Sequence, residues 1–264
     1  MELVHQGLAR SRAHAQQLIA AGTVRVNGAT VGKAAATVVP TDVLEAQPDG
    51  YVSRAAHKLL GALEDLDGQQ DLAAQIPPSR SILPLHGRAL DAGSSTGGFT
   101  QVLLERGCRR VYAVDVGTGQ LAEPLRSDPR VVVWEQTNLR DLDLRHVDGD
   151  PVDLVVADVS FISLVLLVER LAAVTRRDGR LLLMVKPQFE VGRELLGKGG
   201  VVRAPALHRS AVADVVAAAA AHDWFAWQVV RSRLAGPAGN VEYFVLFGPH
   251  PPLTPFDLAA AVPG

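Results

Sequence analysis

The segment Leu90-Asp-Ala-Gly-Ser-Ser-Thr-Gly-Gly-Phe-Thr100, followed by Arg110-Val-Tyr-Ala-Val-Asp115, decides the fold of this chain. An apolar strand enters a glycine-rich turn, a helix follows, and the next strand ends in a carboxylate. An open α/β sheet holds the sugar of a nucleoside cofactor in this way. The glycines allow positive φ angles and a close approach of the backbone to a ligand, and Asp115 is placed to accept hydrogen bonds from ribose hydroxyls. We therefore expect an adenosine-type ligand.

The spacing of this turn distinguishes between two cofactors. After Gly93 the next glycine comes four residues later, and Ser94, Ser95 and Thr96 fill the gap. The pyrophosphate of NAD needs an unobstructed helix N-terminus, whereas S-adenosylmethionine carries no phosphate and tolerates hydroxyl groups in the turn. The pattern thus favours S-adenosylmethionine over the cofactor of a dehydrogenase. A glycine-rich connection that only reverses the chain is the structural alternative.

Composition indicates a globular protein. The chain has 264 residues, of which 48% are hydrophobic, and it contains no apolar run of the roughly 20 residues that a membrane-spanning helix needs. Its start lacks a basic segment followed by an apolar one, so we expect no secretory signal and a cytoplasmic protein. The single cysteine, Cys108, excludes an internal disulfide and a thiolate metal cluster, and we expect it to be a structural thiol.

The first 40 residues carry more positive than negative charge. Four basic residues stand against one acidic residue, Glu2, which suggests a polyanionic partner, although a solvated face is the simpler explanation for scattered charges. A short helix is predicted over residues 10–20, with Ser11 as its cap, and Asn27-Gly28 predicts a hairpin. The candidate polyanion-binding residues are Arg10, Arg12, Arg25, Lys33 and Arg54.

Strand and helix patterns alternate in the rest of the chain, which predicts a doubly wound α/β sheet whose last two strands form a hairpin. We divide the chain into a small α/β domain (1–46), a linker (47–52) and the sheet domain (53–264). The predicted strands are 89–91, 110–115, 131–134, 152–158, 180–186, 225–231 and 241–247, and the predicted helices are 53–66, 98–106, 164–174 and 205–222.

Four charged residues lie at strand ends or beside them, where such a sheet places its site: Lys58, Asp158, Lys186 and Glu242. Asp158 and Lys186 each end a strongly apolar run, and charges rarely do so without a partner or a task. Each residue alone is better explained by a surface salt bridge. The four together favour a catalytic site.

If the cofactor is S-adenosylmethionine, the absence of two motifs reduces the number of groups that could accept its methyl group. Enzymes that methylate an exocyclic base amine usually have an Asn/Asp-Pro-Pro-aromatic tetrapeptide after the fourth strand, and here that place reads Asp158-Val-Ser-Phe161. Pyrimidine C5 methylation needs a cysteine nucleophile there, and none is present. A lysine beside a second lysine and two carboxylates suits the deprotonation of a ribose 2′-hydroxyl.

Eight segments of the chain resemble the TlyA (haemolysin-A-like) family of ribosomal RNA 2′-O-methyltransferases, and the resemblance covers nearly the whole chain. They are Tyr51-Val-Ser-Arg54 with His57-Lys58-Leu59, Leu90 to Thr100, Asp115 to Leu121, Asp128-Pro-Arg130, Thr137 to Arg140, Ala157-Asp-Val-Ser-Phe-Ile-Ser-Leu164, Val185-Lys-Pro-Gln-Phe-Glu-Val191 and Gly239-Asn-Val-Glu-Tyr-Phe244. Ala55 stands where the family usually has a glycine, close to the lysine at position 58.

The resemblance implies a fold, a reaction and roles for residues. It implies an N-terminal RNA-binding module of the ribosomal S-four type, a Rossmann-like class I S-adenosylmethionine-dependent methyltransferase domain similar to the FtsJ group, and a Lys-Asp-Lys-Glu tetrad on the four charged residues above. It also implies that Gly93, Ser95 and Gly97 border the methionine part of the cofactor, Asp115 its ribose and Asn138 its adenine. The full set of expected cofactor-binding residues is Asp91, Gly93, Ser95, Gly97, Phe99, Asp115, Asn138 and Asp158, with ribosomal RNA or a ribosomal subunit as partner.

Two other functions remain open at this point. One is a non-catalytic RNA-binding factor in ribosome assembly, and the other is a membrane-damaging protein, as the name haemolysin suggests. The second has less support, since no strongly amphipathic basic helix is apparent. Which ribosomal subunit carries the target, and the oligomeric state, are left open by the sequence.

Overall fold

A computed structural model describes residues 2–6, 8–9, 12–20, 22–39, 41–46, 50–68, 83–252 and 257–262. The chain divides into two compact units, Met1–Arg54 and Ala55–Gly264. Each unit contains its own cluster of buried apolar side chains.

The first unit combines two short helices with a small antiparallel sheet. Its elements are α1 (Glu2–His5), α2 (Arg12–Ala20), β1 (Val24–Val26), β2 (Ala29–Thr30) and β3 (Leu44–Ala46). The strand order is β2-β1-β3. Asn27 and Gly28 both have positive φ angles, 52° and 80°, as a tight hairpin turn requires, so the predicted hairpin is confirmed. Strand β3 was not predicted, because three residues are too few for an alternating pattern to be recognised. The predicted cap at Ser11 lies outside the described residues.

The second unit contains a seven-stranded sheet. Its strands are β4 (Arg88–Ala92), β5 (Arg110–Val114), β6 (Val131–Trp134), β7 (Val152–Ala157), β8 (Thr175–Val185), β9 (Phe225–Arg231) and β10 (Tyr243–Gly248). The order is β6-β5-β4-β7-β8-β10-β9, and only β10 runs antiparallel to its neighbours. All seven predicted strands and the final hairpin are confirmed.

Helices flank this sheet. They are α3 (Arg54–Asp67), α4 (Gly98–Glu105), α5 (Glu123–Arg126), α6 (Val168–Ala173), α7 (Pro187–Glu190), α8 (Pro205–Ala220) and α9 (Leu258–Ala261). The predicted helix over 164–174 is divided into a 3₁₀ turn, Leu164–Leu166, and α6. Most of the proline-rich segment between α3 and β4, residues 69–82, lies outside the described residues.

Strand β8 begins five residues earlier than its apolar pattern predicts. Residues 176–178 are polar and exposed, so they carry no strand signal. Arg180 is nevertheless buried, and its guanidinium lies 4.4 Å from the Trp227 ring centroid on β9, a cation–π contact. This contact holds a charged residue inside the sheet.

The strand order places the ligand crevice. The chain proceeds from β4 to β5 on one side and later returns to β7 on the other side, so the order reverses between β4 and β7. Ligands of open α/β sheets bind beyond the carboxyl ends of the strands at such a reversal. Residues that follow β4, β5, β7 and β8 therefore meet at one edge.

Cys108 is fully buried in this unit. Burial raises the pKa of its thiol to about 12, which makes it unreactive as a nucleophile. The predicted structural role of Cys108 is confirmed.

Candidate active site

The turn after β4 is held in place by backbone hydrogen bonds to one carboxylate. Gly93 has a φ of 84°, and a Cβ at this position would lie 2.8 Å from the Asp158 carbonyl oxygen. Ser95 has a φ of 47°, and its N–H donates to Asp115 Oδ2 at 2.8 Å. The Gly117 N–H donates to Asp115 Oδ1 at 2.7 Å. Three of the predicted cofactor-binding residues, Gly93, Ser95 and Asp115, thus lie together at the sheet edge.

Asp91, near the end of β4, is a fully buried acid. The Thr100 hydroxyl donates to its Oδ2 at 2.7 Å, while Oδ1 receives no hydrogen bond from the described residues. Burial raises the pKa of Asp91 to about 7, and the charges of Asp158 and Asp115 add to the increase. A buried acceptor without a donor suits a ligand that brings a donor of its own.

Three other residues that were predicted to bind the cofactor make contacts with other residues of the protein. Gly97 has a φ of 96°, and a Cβ there would meet the side chains of Leu121 and Leu125. The Phe99 ring is buried, with its centroid 6.0 Å from that of Phe244. Asn138 is exposed and accepts a hydrogen bond from the Arg140 N–H. Cofactor contacts of Gly97, Phe99 and Asn138 stay predictions.

The four charged residues form two ion pairs. Lys58 Nζ lies 2.5 Å from Glu242 Oε2, and both side chains are buried. Lys186 Nζ lies 2.6 Å from Asp158 Oδ1. Lys58 is 184 positions from its partner in the chain. Ala55, which replaces the usual glycine, leaves the pairing of Lys58 intact.

The sheet register brings the two pairs next to each other. Tyr243 of β10 pairs with Val185 of β8 in antiparallel register, so Glu242 and Lys186 follow one position beyond the last registered pair. Residues opposite each other in an antiparallel pair share a face of the sheet. Two lysines and two carboxylates therefore converge at the carboxyl edge, as expected from the sequence.

Glycine and asparagine residues before β10 shape the position of Glu242. A Cβ at Gly236 would lie 2.6 Å from Glu242 Oε1. Asn240 is buried and joins this segment to the loop before α8, because its Oδ1 accepts from the Val202 N–H and its Nδ2 donates to the Gly200 carbonyl. The sequence analysis missed Asn240, although it lies inside one of the family-like segments.

Two further residues at the Asp158–Lys186 pair were missed. Lys186 Nζ donates to Ser160 Oγ at 2.9 Å. Glu190 accepts hydrogen bonds from the Ser163 hydroxyl, at 2.5 Å, and from the Leu164 N–H, at 2.9 Å. Burial raises the pKa of Glu190. Polar residues inside both motifs, Asp158-Val-Ser and Lys186-Pro-Gln-Phe-Glu, were the available signal.

The candidate polyanion-binding residues lie within the range of the first unit. Arg12, Arg25 and Lys33 are exposed there, and Arg12 and Lys33 both line a cavity of about 140 Å³. Arg54 is half-buried. Arg10 lies outside the described residues. The structure thus leaves three of the five predicted cations on the surface of the first unit.

Three features are typical of a Rossmann-like methyltransferase that uses S-adenosylmethionine. They are the order of the strands, the glycine-rich turn after β4 and the carboxylate that follows β5. A family model described as FtsJ-like methyltransferase matches residues 51–249, and a model of the S4 domain matches residues 2–44. The chain belongs to the FtsJ-like methyltransferase family.

Individual relatives place it in the TlyA branch of that family. The 16S/23S rRNA (cytidine-2′-O)-methyltransferase TlyA of Mycobacterium tuberculosis is 48% identical over 92% of this chain and 87% of its own. Hemolysin A of Brachyspira hyodysenteriae is 34% identical over 93% and 98%. A solved structure from Streptococcus thermophilus, provisionally named a hemolysin, has a TM-score of 0.73 and 32% identity over 98% of this chain and 92% of its own.

S-adenosylmethionine is the cofactor of this family, and the residues present fit it. The Gly93 backbone leaves a space that any Cβ would fill, and Asp91 Oδ1 is a buried acceptor that an amino group can satisfy. The turn holds hydroxyl groups and no feature that needs a phosphate. The expected cofactor is therefore consistent with the chemistry of this edge.

Proposed function

We propose that this chain transfers the methyl group of S-adenosylmethionine to the ribose 2′-hydroxyl of a cytidine in ribosomal RNA. The observation that carries the proposal is the presence of two ion pairs, Lys186 with Asp158 and Lys58 with Glu242, at the sheet edge, where Lys186 and Glu242 follow the last registered pair of β8 and β10. The relatives from Mycobacterium tuberculosis and Campylobacter jejuni are named as rRNA cytidine-2′-O-methyltransferases. A ribosomal substrate implies that the chain works in the cytoplasm.

The two pairs have separate tasks in this proposal. The cofactor supplies an electrophilic methyl group on a sulfonium. Lys186 accepts the proton of the ribose hydroxyl, and Asp158 keeps its amine in place. Glu242 holds Lys58, whose positive charge favours an ionised oxygen nearby. Gly93 and Asp91 bind the methionine part of the cofactor and Asp115 binds its ribose.

Features outside the tetrad support RNA as the substrate. The first unit matches an S4 domain and exposes Arg12, Arg25 and Lys33, which suit phosphate contacts. At the site itself, Phe161 is 92% exposed, and its ring centroid lies 5.1 Å from that of Phe189. Exposed aromatic rings beside a site are typical of proteins that bind unstacked bases. We assign residues 1–46 to RNA binding, 47–52 to a linker and 53–264 to methyl transfer.

The proposal is tested by transfer of a radiolabelled methyl group. Purified 30S and 50S subunits from cells that lack the gene are incubated with the protein and labelled cofactor, and ribose methylation is mapped by alkaline hydrolysis. We expect label at a cytidine 2′-oxygen in one or both subunits. Cofactor binding by calorimetry without incorporation into either subunit or naked rRNA would instead support a non-catalytic assembly factor.

A membrane-damaging activity is the second candidate, because one relative bears the name Hemolysin A. In the part of the chain that the structure describes, no helix is long and apolar enough to cross a bilayer. Release of a trapped dye from liposomes by the purified protein tests this candidate. We expect no release above that caused by an unrelated protein.

A further inference from the structure

Lys186 has a hydrogen-bond partner in addition to the carboxylate with which it forms an ion pair. Its Nζ lies 2.6 Å from Asp158 Oδ1 and donates to Ser160 Oγ at 2.9 Å. Both partners belong to the turn after β7 and are two residues apart. The Lys186 side chain is only 9% exposed, so these contacts decide how its amine is oriented.

The number of groups that contact the Lys186 amine determines the direction of its lone pair, because a neutral amine is tetrahedral. Its tetrahedral nitrogen bonds to Cε and directs two N–H groups and one lone pair in the three remaining directions. The negative charge of Asp158 Oδ1, 2.6 Å away, attracts one N–H group, but alone it would leave two directions open to the lone pair. Ser160 accepts the second N–H, so the lone pair is confined to the third direction.

The turn that carries Ser160 is fastened to the segment that follows Lys186. Glu190, at the end of α7, accepts hydrogen bonds from the Ser163 hydroxyl and the Leu164 N–H. Helix α7 begins immediately after Lys186. The same short segment therefore contacts the turn at two points, which keeps Ser160 within reach of the amine.

We infer that Ser160 is a positioning residue that fixes the direction of the Lys186 lone pair. The inference rests on the proposed function, in which Lys186 is the base. In that step the ribose O–H bond breaks, its proton forms a third N–H bond on Nζ, and the oxygen keeps the electron pair. The hydrogen bond to Ser160 and the ion pair with Asp158 stay unchanged, and the ammonium later gives its proton to water. Because Ser160 already fixes the direction of the lone pair, the Lys186 amine does not have to reorient during the reaction.

The first test observes the amine directly and needs no substrate. The chain has four lysines, Lys33, Lys58, Lys186 and Lys198, so ¹³Cε-labelled lysine gives four NMR signals that Lys→Arg variants assign. Ser160→Ala should shift the Lys186 signal and leave that of Lys58, which is paired with Glu242, unchanged. An unmoved Lys186 signal would overturn the inference.

The second test separates orientation from binding. Ser160→Ala should lower kcat about ten- to a hundredfold and leave KM for the ribosomal substrate and the calorimetric affinity for the cofactor within about twofold. Ser160→Thr keeps the hydroxyl and should restore most of kcat. Ser127→Ala is the matched control, because Ser127 is an exposed serine bonded to Glu123, away from the tetrad.

The outcomes distinguish this inference from the proposed function. Wild-type kcat in Ser160→Ala, or equal losses in the Ala and Thr variants, refutes the role of Ser160 while the proposed function stands. Wild-type protein that methylates no ribose refutes the proposed function, whatever the NMR spectra show.

Discussion

Lysine is the rare cation of this chain: only four of its 26 lysine and arginine residues are lysines. Two of those four, Lys58 and Lys186, are buried in ion pairs at the sheet edge. Arginine forms the better bidentate ion pair, but its guanidinium keeps its proton in proteins, whereas a lysine amine can lose one. On the proposed function, the choice of lysine rather than arginine at position 186 is explained by its task of accepting a proton.

Replacement of Lys186 tests this reasoning. Lys186→Ala should lower methyl transfer by about 10² to 10⁴ and leave cofactor affinity within a few fold, measured by calorimetry. Lys186→Arg keeps the charge and the ion pair with Asp158 and should be equally inactive. Activity in the arginine variant would show that charge, and not proton transfer, is what the reaction needs.

Asp91 links protonation to stability. Its folded-state pKa is about 7 against an ordinary value of 3.8, so at intermediate pH the folded protein binds a proton that the unfolded chain has lost. Protonation of Asp91 in the folded state therefore adds to the free energy of unfolding. This contribution is fully present below about pH 4 and is lost as the pH rises through 7. Asp91→Asn removes this effect. In urea titrations the variant should gain stability relative to wild type at pH 8 compared with pH 5, by about 3 kcal/mol. Equal differences at both pH values would contradict the burial argument.

At the scale of an element, the turn after β4 depends on Gly93. Gly93→Ala places a methyl group 2.8 Å from the Asp158 carbonyl and also imposes a left-handed φ on alanine. Gly119 has a similar φ of 65° with open space around it, so Gly119→Ala is the control for φ alone and should cost about 1 kcal/mol. Gly93→Ala should cost at least about 1 kcal/mol more. Denaturant unfolding and cofactor calorimetry measure both variants, and equal losses would exclude the clash.

The loop before α8 depends on Asn240 in a comparable way. Asn240→Ala leaves the Val202 N–H and the Gly200 carbonyl without their partners. We expect a loss of about 1 to 3 kcal/mol in the free energy of unfolding, and faster hydrogen exchange at Val202. Asn138→Ala, which removes only an exposed cap, should cost about 1 kcal/mol or less and leave exchange at Val202 unchanged.

The helices and strands, and their order along the chain, could be predicted from the sequence more readily than the contacts between loops. The seven strands were predicted because their interiors are apolar, and Asp158 and Lys186 because they interrupt apolar runs at the point where a ligand binds. The pairing of Lys58 with Glu242 joins distant parts of the chain, and periodicity contains no information about it; the family resemblance implied only that both residues belong to one tetrad. Ser160, Glu190 and Asn240 were missed because their contacts depend on turn conformations, such as the φ of 64° at Phe161, that no local pattern specifies.

At the scale of the whole molecule, we expect RNA affinity and chemistry to be separable. Replacement of Arg12, Arg25 and Lys33 by alanine removes exposed cations of the first unit and leaves the tetrad unchanged. The slope of log K against log salt for binding to ribosomal subunits should fall by about 2, with cofactor affinity unaffected. A charge-preserving triple variant, with lysine for each arginine and arginine for the lysine, is the control. An unchanged slope would show that these residues contact no phosphate.

The closed turn around Asp115 also has a consequence for turnover. The Ser95 and Gly117 N–H groups both donate to this carboxylate, so we expect the Asp115 side chain to keep the same orientation before and after methyl transfer. In the proposed function, the residues of this turn bind the ribose and the amino-acid part of S-adenosylmethionine. The demethylated product retains both parts. We therefore expect S-adenosylhomocysteine to compete strongly with fresh donor, so that the cellular ratio of the two sets the pace of methylation.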